Sequence, residues 1–282
     1  MATDIPGISA SGRFSGLTTL PERVQLHPQF HSRFLPYDRD ITVYLPPEYA
    51  TQPERRFPVL YLHDGQNLFD PATSFVPGRT WRVAETTDTV IARQQVEPLI
   101  IVGIANTGEH RLEEYTPVRD WKMGGGEADK YGKLITEELM PSIRSNYRTL
   151  DGPEHTGLGG SSLGGLVTLY LGLKFSSIFG RLAVLSPSVW WNNKNIIGYV
   201  SETKVDRRPR IWLDIGDAEG RRTVADAELL ARRLQINGWK TDIDLHYERV
   251  AGGTHDEAAW AQRVGPMLRF LFPATDVPGA KF

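Results

Sequence analysis

The order of apolar and polar positions changes character along the chain. Val24, Leu26, Pro28 and Phe30 alternate with Arg23, Gln25, His27 and Gln29. That period of two predicts a half-buried strand, and its proline confines the strand to a sheet edge. Ile41, Val43 and Leu45 alternate likewise and stop at Pro46-Pro47. Beyond this point the runs become continuously apolar. Phe57 to Leu62 and Leu99 to Ile104 read as strands covered on both faces, with a helix over Trp81 to Gln94 between them. Ala128 to Asn146 predicts a second helix, which leads to a short strand ending near Leu158. An apolar helix from Leu163 to about Phe175 follows, then strands over Leu182 to Leu185 and Arg210 to Ile215. Ala227, Leu230, Ala231 and Leu234 share one face of a helix capped by Thr223 and stopped by Gly238. Thr241 to Tyr247 predicts the last strand, and Glu257 to Phe272 an amphipathic helix kinked at Pro266.

Strands that alternate with helices imply an α/β protein. The expected architecture is a mostly parallel central sheet with an antiparallel N-terminal start and helices on both faces. No linker or low-complexity tract divides it, so the expected organisation is a coil over 1–21, one domain over 22–273 and a tail over 274–282. One stretch, 106–127, is long and irregular and contains Gly124-Gly125-Gly126. Loops of that length in a compact domain are usually either functional or disordered. Tyr115, Pro117 and Trp121 would be unusual residues to leave in free solvent.

Composition narrows the chemistry. The 282 residues suffice for one full core, and the net charge is −2 with both signs interspersed. No basic stripe points to nucleic acid, and no polybasic cluster points to a membrane surface. With no cysteine in the chain, disulfides, thiolate nucleophiles and cysteine-ligated metal are excluded. Met1 to Gly16 lacks a basic start and an apolar stretch, so a cytoplasmic location is expected. No apolar run approaches membrane-spanning length. Nothing in the chain sets an oligomeric state.

The densest chemical signal is Gly160-Ser161-Ser162-Leu163-Gly164, set between the short strand and the apolar helix. A serine there sits on a sharp strand-to-helix turn that exposes its hydroxyl, the nucleophile elbow of an α/β-hydrolase fold. Only Ser162 has glycine two before and two after it, so it is preferred to Ser161. A serine hydroxyl needs a base, and the base needs an acid to orient it, in the chain order serine, acid, histidine. Of seven histidines only His246 and His255 follow Ser162, and His246 lies inside the last strand. His255, in a glycine-bearing loop after that strand, is the candidate base. Gly216-Asp217-Ala218-Glu219-Gly220 follows the preceding strand and offers two acids. Glu219 has the longer reach, and Asp217 is the alternative. Backbone donors for an oxyanion hole are expected from Leu163 and from Gly65 or Gln66. A metal pair at His63-Asp64 is disfavoured because no cluster of further ligands accompanies it, and no cofactor is expected.

Six segments together resemble one family. They are Leu60 to Phe69, Arg111 to Pro117, Gly159 to Gly165, Ser186 to Trp191, Gly216 to Glu219, and Gly252 to Trp260. Their order and content are similar to the esterase family of α/β-hydrolases that groups esterase D, enterochelin esterases and feruloyl or acetylxylan esterases. The resemblance spans roughly 35–272. It implies Ser162 as nucleophile, His255 as base and Glu219 as acid. It implies a serine carboxylic-ester hydrolase acting on small acyl, feruloyl or acetyl-carbohydrate, or siderophore-type esters. Two alternatives are an acyltransferase using the same residues and a non-catalytic binding member of the fold. Trp190 and Trp191 are expected either to line a substrate pocket or to pack in the core. Arg111 is expected either to meet a substrate anion, near Tyr115, or to pair with Glu113 or Glu114.

Overall fold

In a computed structural model, residues 22–205 and 207–274 are described. The expected coil over 1–21 and the tail beyond 274 lie outside them. Eight strands form one sheet: β1 Val24–Phe30, β2 Arg39–Tyr44, β3 Val59–His63, β4 Ile100–Ile104, β5 Thr156–Ser161, β6 Arg181–Leu185, β7 Arg210–Gly216 and β8 Leu245–Val250. The sheet order is β1-β2-β4-β3-β5-β6-β7-β8. β1 and β2, and β2 and β4, pair antiparallel, and every later pairing is parallel. The helices are α1 Glu48–Thr51, α2 Val83–Ala92, α3 Arg111–Tyr115, α4 Ala128–Lys133, α5 Met140–Asn146, α6 Leu163–Lys174, α7 Trp191–Glu202, α8 Arg221–Ile236 and α9 Glu257–Leu271. No helix among the described residues is long and apolar enough to cross a membrane.

The continuous apolar runs divide by parity between two cores, as side chains alternate across a pleated strand. Val59, Tyr61, Ile100, Val102, Leu158, Val184 and Leu213 pack with α4, α5, α6 and α8 on one face. Leu60, Leu62, Ile101, Leu185 and Trp212 pack with α2 and α9 on the other. Each face is therefore covered by helices, which is why these strands could be uniformly apolar.

Several local expectations need correction. β5 runs to Ser161, three residues past Leu158: its glycines have weak strand preference, but pairing with β3 and β6 on both sides overrides it. The last strand begins at Leu245, not Thr241. Asp242 takes φ 58 and the Lys240 carbonyl accepts three following amides, so Thr241 to Asp244 form a turn and Ile243 is 60% exposed. Thr223 does not cap α8. The helix starts at Arg221 behind Gly220, and the Thr223 hydroxyl donates back to the carbonyls of Glu219 and Gly220 at 2.7 and 2.8 Å. The helix over 128–146 carries a π-helical stretch, Leu134–Leu139, just before Pro141, which has no N–H to return to Glu137. The last helix forms as expected, with Pro266 inside it. α7 is an element the apolar pattern did not indicate, and it opens with Asn192, Asn193 and Lys194 at φ 39, 53 and 63.

Candidate active site

Because β3 to β8 are parallel, the loops after them all leave one edge of the sheet. β4 lies on one side of β3 and β5 on the other, so the chain reverses direction at the middle of that edge. Such reversal points are where open α/β sheets hold ligands. All the candidate residues lie in these loops or at the ends of these strands.

Ser162 stands between β5 and α6 at φ 59 and ψ −122. This is a strained conformation for a residue with a Cβ, of the kind that functional sites retain. A side chain at Gly160 would bring a Cβ within 3.0 Å of His63 and 3.1 Å of the Gly164 carbonyl carbon, so glycine is what lets strand and helix close up there. The Ser162 amide donates to the Leu185 carbonyl at 3.1 Å, which ties the turn to β6. Its hydroxyl lies 3.3 Å from Ser188 Oγ, and the Ser188 amide donates to the Ser162 carbonyl at 2.9 Å. Ser188 lies in the Ser186 to Trp191 segment, and no spacing in the sequence marks it as a neighbour of Ser162.

Glu219 and His255 meet. His255 Nδ1 donates to Glu219 Oε2 at 2.7 Å. The other oxygen, Oε1, accepts from Ser186 Oγ at 2.6 Å and from the Gly216 amide at 2.8 Å. Burial raises the Glu219 carboxyl, but the hydrogen bonds from His255, Ser186 and Gly216 outweigh it and hold the group below its usual range. Asp217 points elsewhere: its Oδ1 accepts the Gly252 amide at 2.7 Å, and the Ala218 amide donates to the Gly253 carbonyl at 3.1 Å. The acid turn and the histidine loop are thus pinned together. They can approach because Gly216 has no side chain: a Cβ there would sit 2.1 Å from the Gly253 carbonyl oxygen. Asp256, beside His255, caps α9 by accepting the amides of Ala258 and Ala259 at 3.0 and 3.1 Å. The His255 ring meets Trp260 edge-on, with centroids 4.9 Å apart.

Leu163 heads α6, and Gly65 and Gln66 open the short turn Gly65–Asn67 after β3. Amides at the start of a helical turn have no partner within it and are free to bind an anion. The Gln66 side chain accepts the Asn106 amide at 3.2 Å, joining the loops after β3 and β4.

Arg111 is engaged, but by neither Glu113 nor Glu114. Its Nε and Nη2 donate to the two oxygens of Asp64 at 2.7 and 2.8 Å. Glu114 is taken by Arg39 instead, at 2.8 and 2.9 Å. Tyr115 is fully buried, with its hydroxyl accepting the Asp64 amide at 3.2 Å. Trp191 is also buried, donating from Nε1 to the Val118 carbonyl at 2.9 Å, whereas Trp190 is 42% exposed. The stretch 106–127 is therefore largely anchored. It contains α3 and a small bridge between Asp120 and Gly124. Trp121 at its tip is 84% exposed, against expectation. Burial pushes His63 down to about 3, so it stays neutral, with Nδ1 2.9 Å from the Tyr131 hydroxyl. Among the described residues no group of three or more His, Cys, Asp or Glu side chains could hold a metal ion.

Residues 32–271 match the family described as Putative esterase. The chain is 32% identical over 190 residues to the Bacillus subtilis protein YbbA, covering 65% of this chain and 70% of that one. It is 29% identical over 238 residues to the Iron(III) salmochelin esterase of Escherichia coli O6:H1, covering 79% of this chain and 51% of that one, so it spans about half the length of that relative. Among solved structures, the BES protein from Bacillus cereus aligns with a TM-score of 0.71 at 22% identity, over 93% of this chain and 99% of that one. A ferulic acid esterase aligns with a TM-score of 0.70 at 21% identity, over 89% and 98%. At such identities these two speak for the fold. The chain belongs to the Putative esterase family and is an ester hydrolase on the α/β-hydrolase fold.

Proposed function

We propose that the chain is a serine carboxylic-ester hydrolase working through Ser162, His255 and Glu219. The observation that carries this reading is the 2.7 Å hydrogen bond from His255 Nδ1 to the Glu219 carboxylate. That bond fixes the tautomer in which Nε2 bears a lone pair. Ser162 Oγ attacks the ester carbonyl carbon while His255 Nε2 takes the hydroxyl proton. The carbonyl oxygen becomes an oxyanion, met by the Leu163 amide and by that of Gly65 or Gln66. Collapse breaks the bond to the alcohol oxygen, and His255 returns its proton to the leaving alcohol. A water, deprotonated by His255, then attacks the acyl-serine and releases the acid and Ser162.

The substrate class in this reading is a small-molecule ester with an aromatic or apolar portion. Trp190 follows Ser188, the neighbour of Ser162, and is open to solvent. Relatives named as ferri-bacillibactin esterase and as endo-1,4-beta-xylanase/feruloyl esterase support esters of this general kind. Ser162→Ala is expected to remove hydrolysis of a short p-nitrophenyl ester by about 10⁴-fold or more while leaving the melting temperature within a few degrees. Labelling of the wild type at Ser162 by a fluorophosphonate, read by mass spectrometry, should vanish in the same variant. Retained turnover by Ser162→Ala would sink the nucleophile assignment.

A further inference from the structure

Behind Glu219 lies a buried polar network that the reaction steps above do not use. We infer that Ser186 and Arg263 are positioning residues that hold one oxygen of Glu219 so that the other is presented to His255. This rests on the triad reading.

The geometry at Ser186 leaves its hydroxyl little choice. Ser186 follows β6 at φ 41. Its Oγ lies 2.8 Å from Arg263 Nη1 and 3.1 Å from Trp260 Nε1. A guanidinium and an indole N–H only donate, so both occupy acceptor positions on the Ser186 oxygen. The hydroxyl proton is thereby directed to Glu219 Oε1, 2.6 Å away. The Gly216 amide at 2.8 Å and Arg263 Nη2 at 3.4 Å donate to that same oxygen. With Oε1 held by three donors, rotation of the carboxylate is blocked and Oε2 faces His255.

Arg263 joins four segments. Nη1 also donates to Asp214 Oδ1 on β7 at 2.8 Å, and Nη2 to the Thr254 carbonyl in the histidine loop at 3.3 Å. The Arg263 and Asp214 side chains are 2% and 0% exposed. Asp214 supplies the guanidinium with a second counter-charge, so the cation does not depend on Glu219 alone. The end of β6, the end of β7, the acid turn and the histidine loop thus share one guanidinium.

The test is a double-mutant cycle on the intact protein. Ser186→Ala removes one oxygen atom and with it the donor to Glu219. Its kcat on a p-nitrophenyl ester is expected to fall about tenfold, a value in the range of one lost charge-assisted hydrogen bond, with KM changed by less than about twofold. The rate of Ser162 labelling by a fluorophosphonate should fall by the same factor. In a Glu219→Gln background the same substitution should cost less than about twofold, because the group it acts through is already impaired. Arg263→Lys, which keeps the charge but loses the fork, should follow Ser186→Ala in direction. Wild-type kcat and labelling rate in Ser186→Ala overturn the inference. So does an equal cost of Ser186→Ala in both backgrounds, or a loss of activity accounted for by unfolded protein in a melting curve. If wild-type Ser162 is not labelled at all, the triad reading fails and takes the inference with it.

Discussion

At the scale of single residues, two hydrogen bonds set Glu219 apart from Asp217 and support the proposal of Glu219 as the acid. One carboxylate meets His255 Nδ1 at 2.7 Å, and the other meets the Gly252 amide at 2.7 Å. Glu219→Gln keeps the shape but offers an amide where His255 needs an acceptor, and favours the wrong histidine tautomer. It is expected to lower kcat by about 10²- to 10⁴-fold. Asp217→Asn keeps an oxygen for the Gly252 amide and loses only the charge, so roughly two- to threefold is expected. Steady-state kinetics of both variants decide it, and the reverse order would move the acid to Asp217. Reach along the loop had favoured Glu219 from the residues alone. The donors to its second oxygen, Ser186 and Arg263, come from distant parts of the chain, and spacing gave no sign of them.

At the scale of elements, two ion pairs, one buried and one partly exposed at Arg111, fix the stretch that follows β4. Arg39 on β2 and Glu114 on α3 form a two-pronged pair with side chains 0% and 2% exposed. Asp64 after β3 and Arg111 form a second. Arg39→Met leaves the Glu114 carboxylate buried without its cation. That should destabilise the protein by about 3–5 kcal/mol, seen as a lower urea midpoint at unchanged slope. A midpoint shift below about 1 kcal/mol would show that Glu114 finds other partners. This pairing also explains why a segment that reads as irregular loop is ordered: its helical turn is only five residues, too short to be stable by propensity, and tertiary contacts hold it. α7 escapes the pattern for another reason: it spans twelve residues, but its first turn is built from Asn192, Asn193 and Lys194 at positive φ, which interrupts any helical period.

At the scale of the whole molecule, the central buried histidine couples folding to pH. Burial takes His63 from 6.5 down to about 3. Between those values the unfolded chain binds a proton that the folded chain refuses, so stability is full above about pH 6.5 and falls as pH drops towards 3. From pH 6.5 to 5 this amounts to about 2 kcal/mol. Asp214, pushed up to about 6 by burial against the pull of Arg263 and Trp212, acts in the opposite sense over part of the range. Comparison with His63→Gln removes that common contribution: the wild type should lose about 2 kcal/mol more than the variant over this interval in urea titrations. Parallel pH dependences would overturn the assignment. The broad architecture needed no three-dimensional information. Alternating then continuous apolar runs reveal an antiparallel edge leading into a sheet covered on both faces, because burial on one face or two sets the period of the pattern. The glycines around Ser162 mark the turn, because few other residues tolerate such close backbone approach. Tertiary structure alone decided where the last strand begins, which cation Asp64 and Glu114 each take, and what stands behind Glu219. Those outcomes depend on contacts between residues up to 77 positions apart, as at Ser186 and Arg263, and a linear pattern carries no record of such pairings.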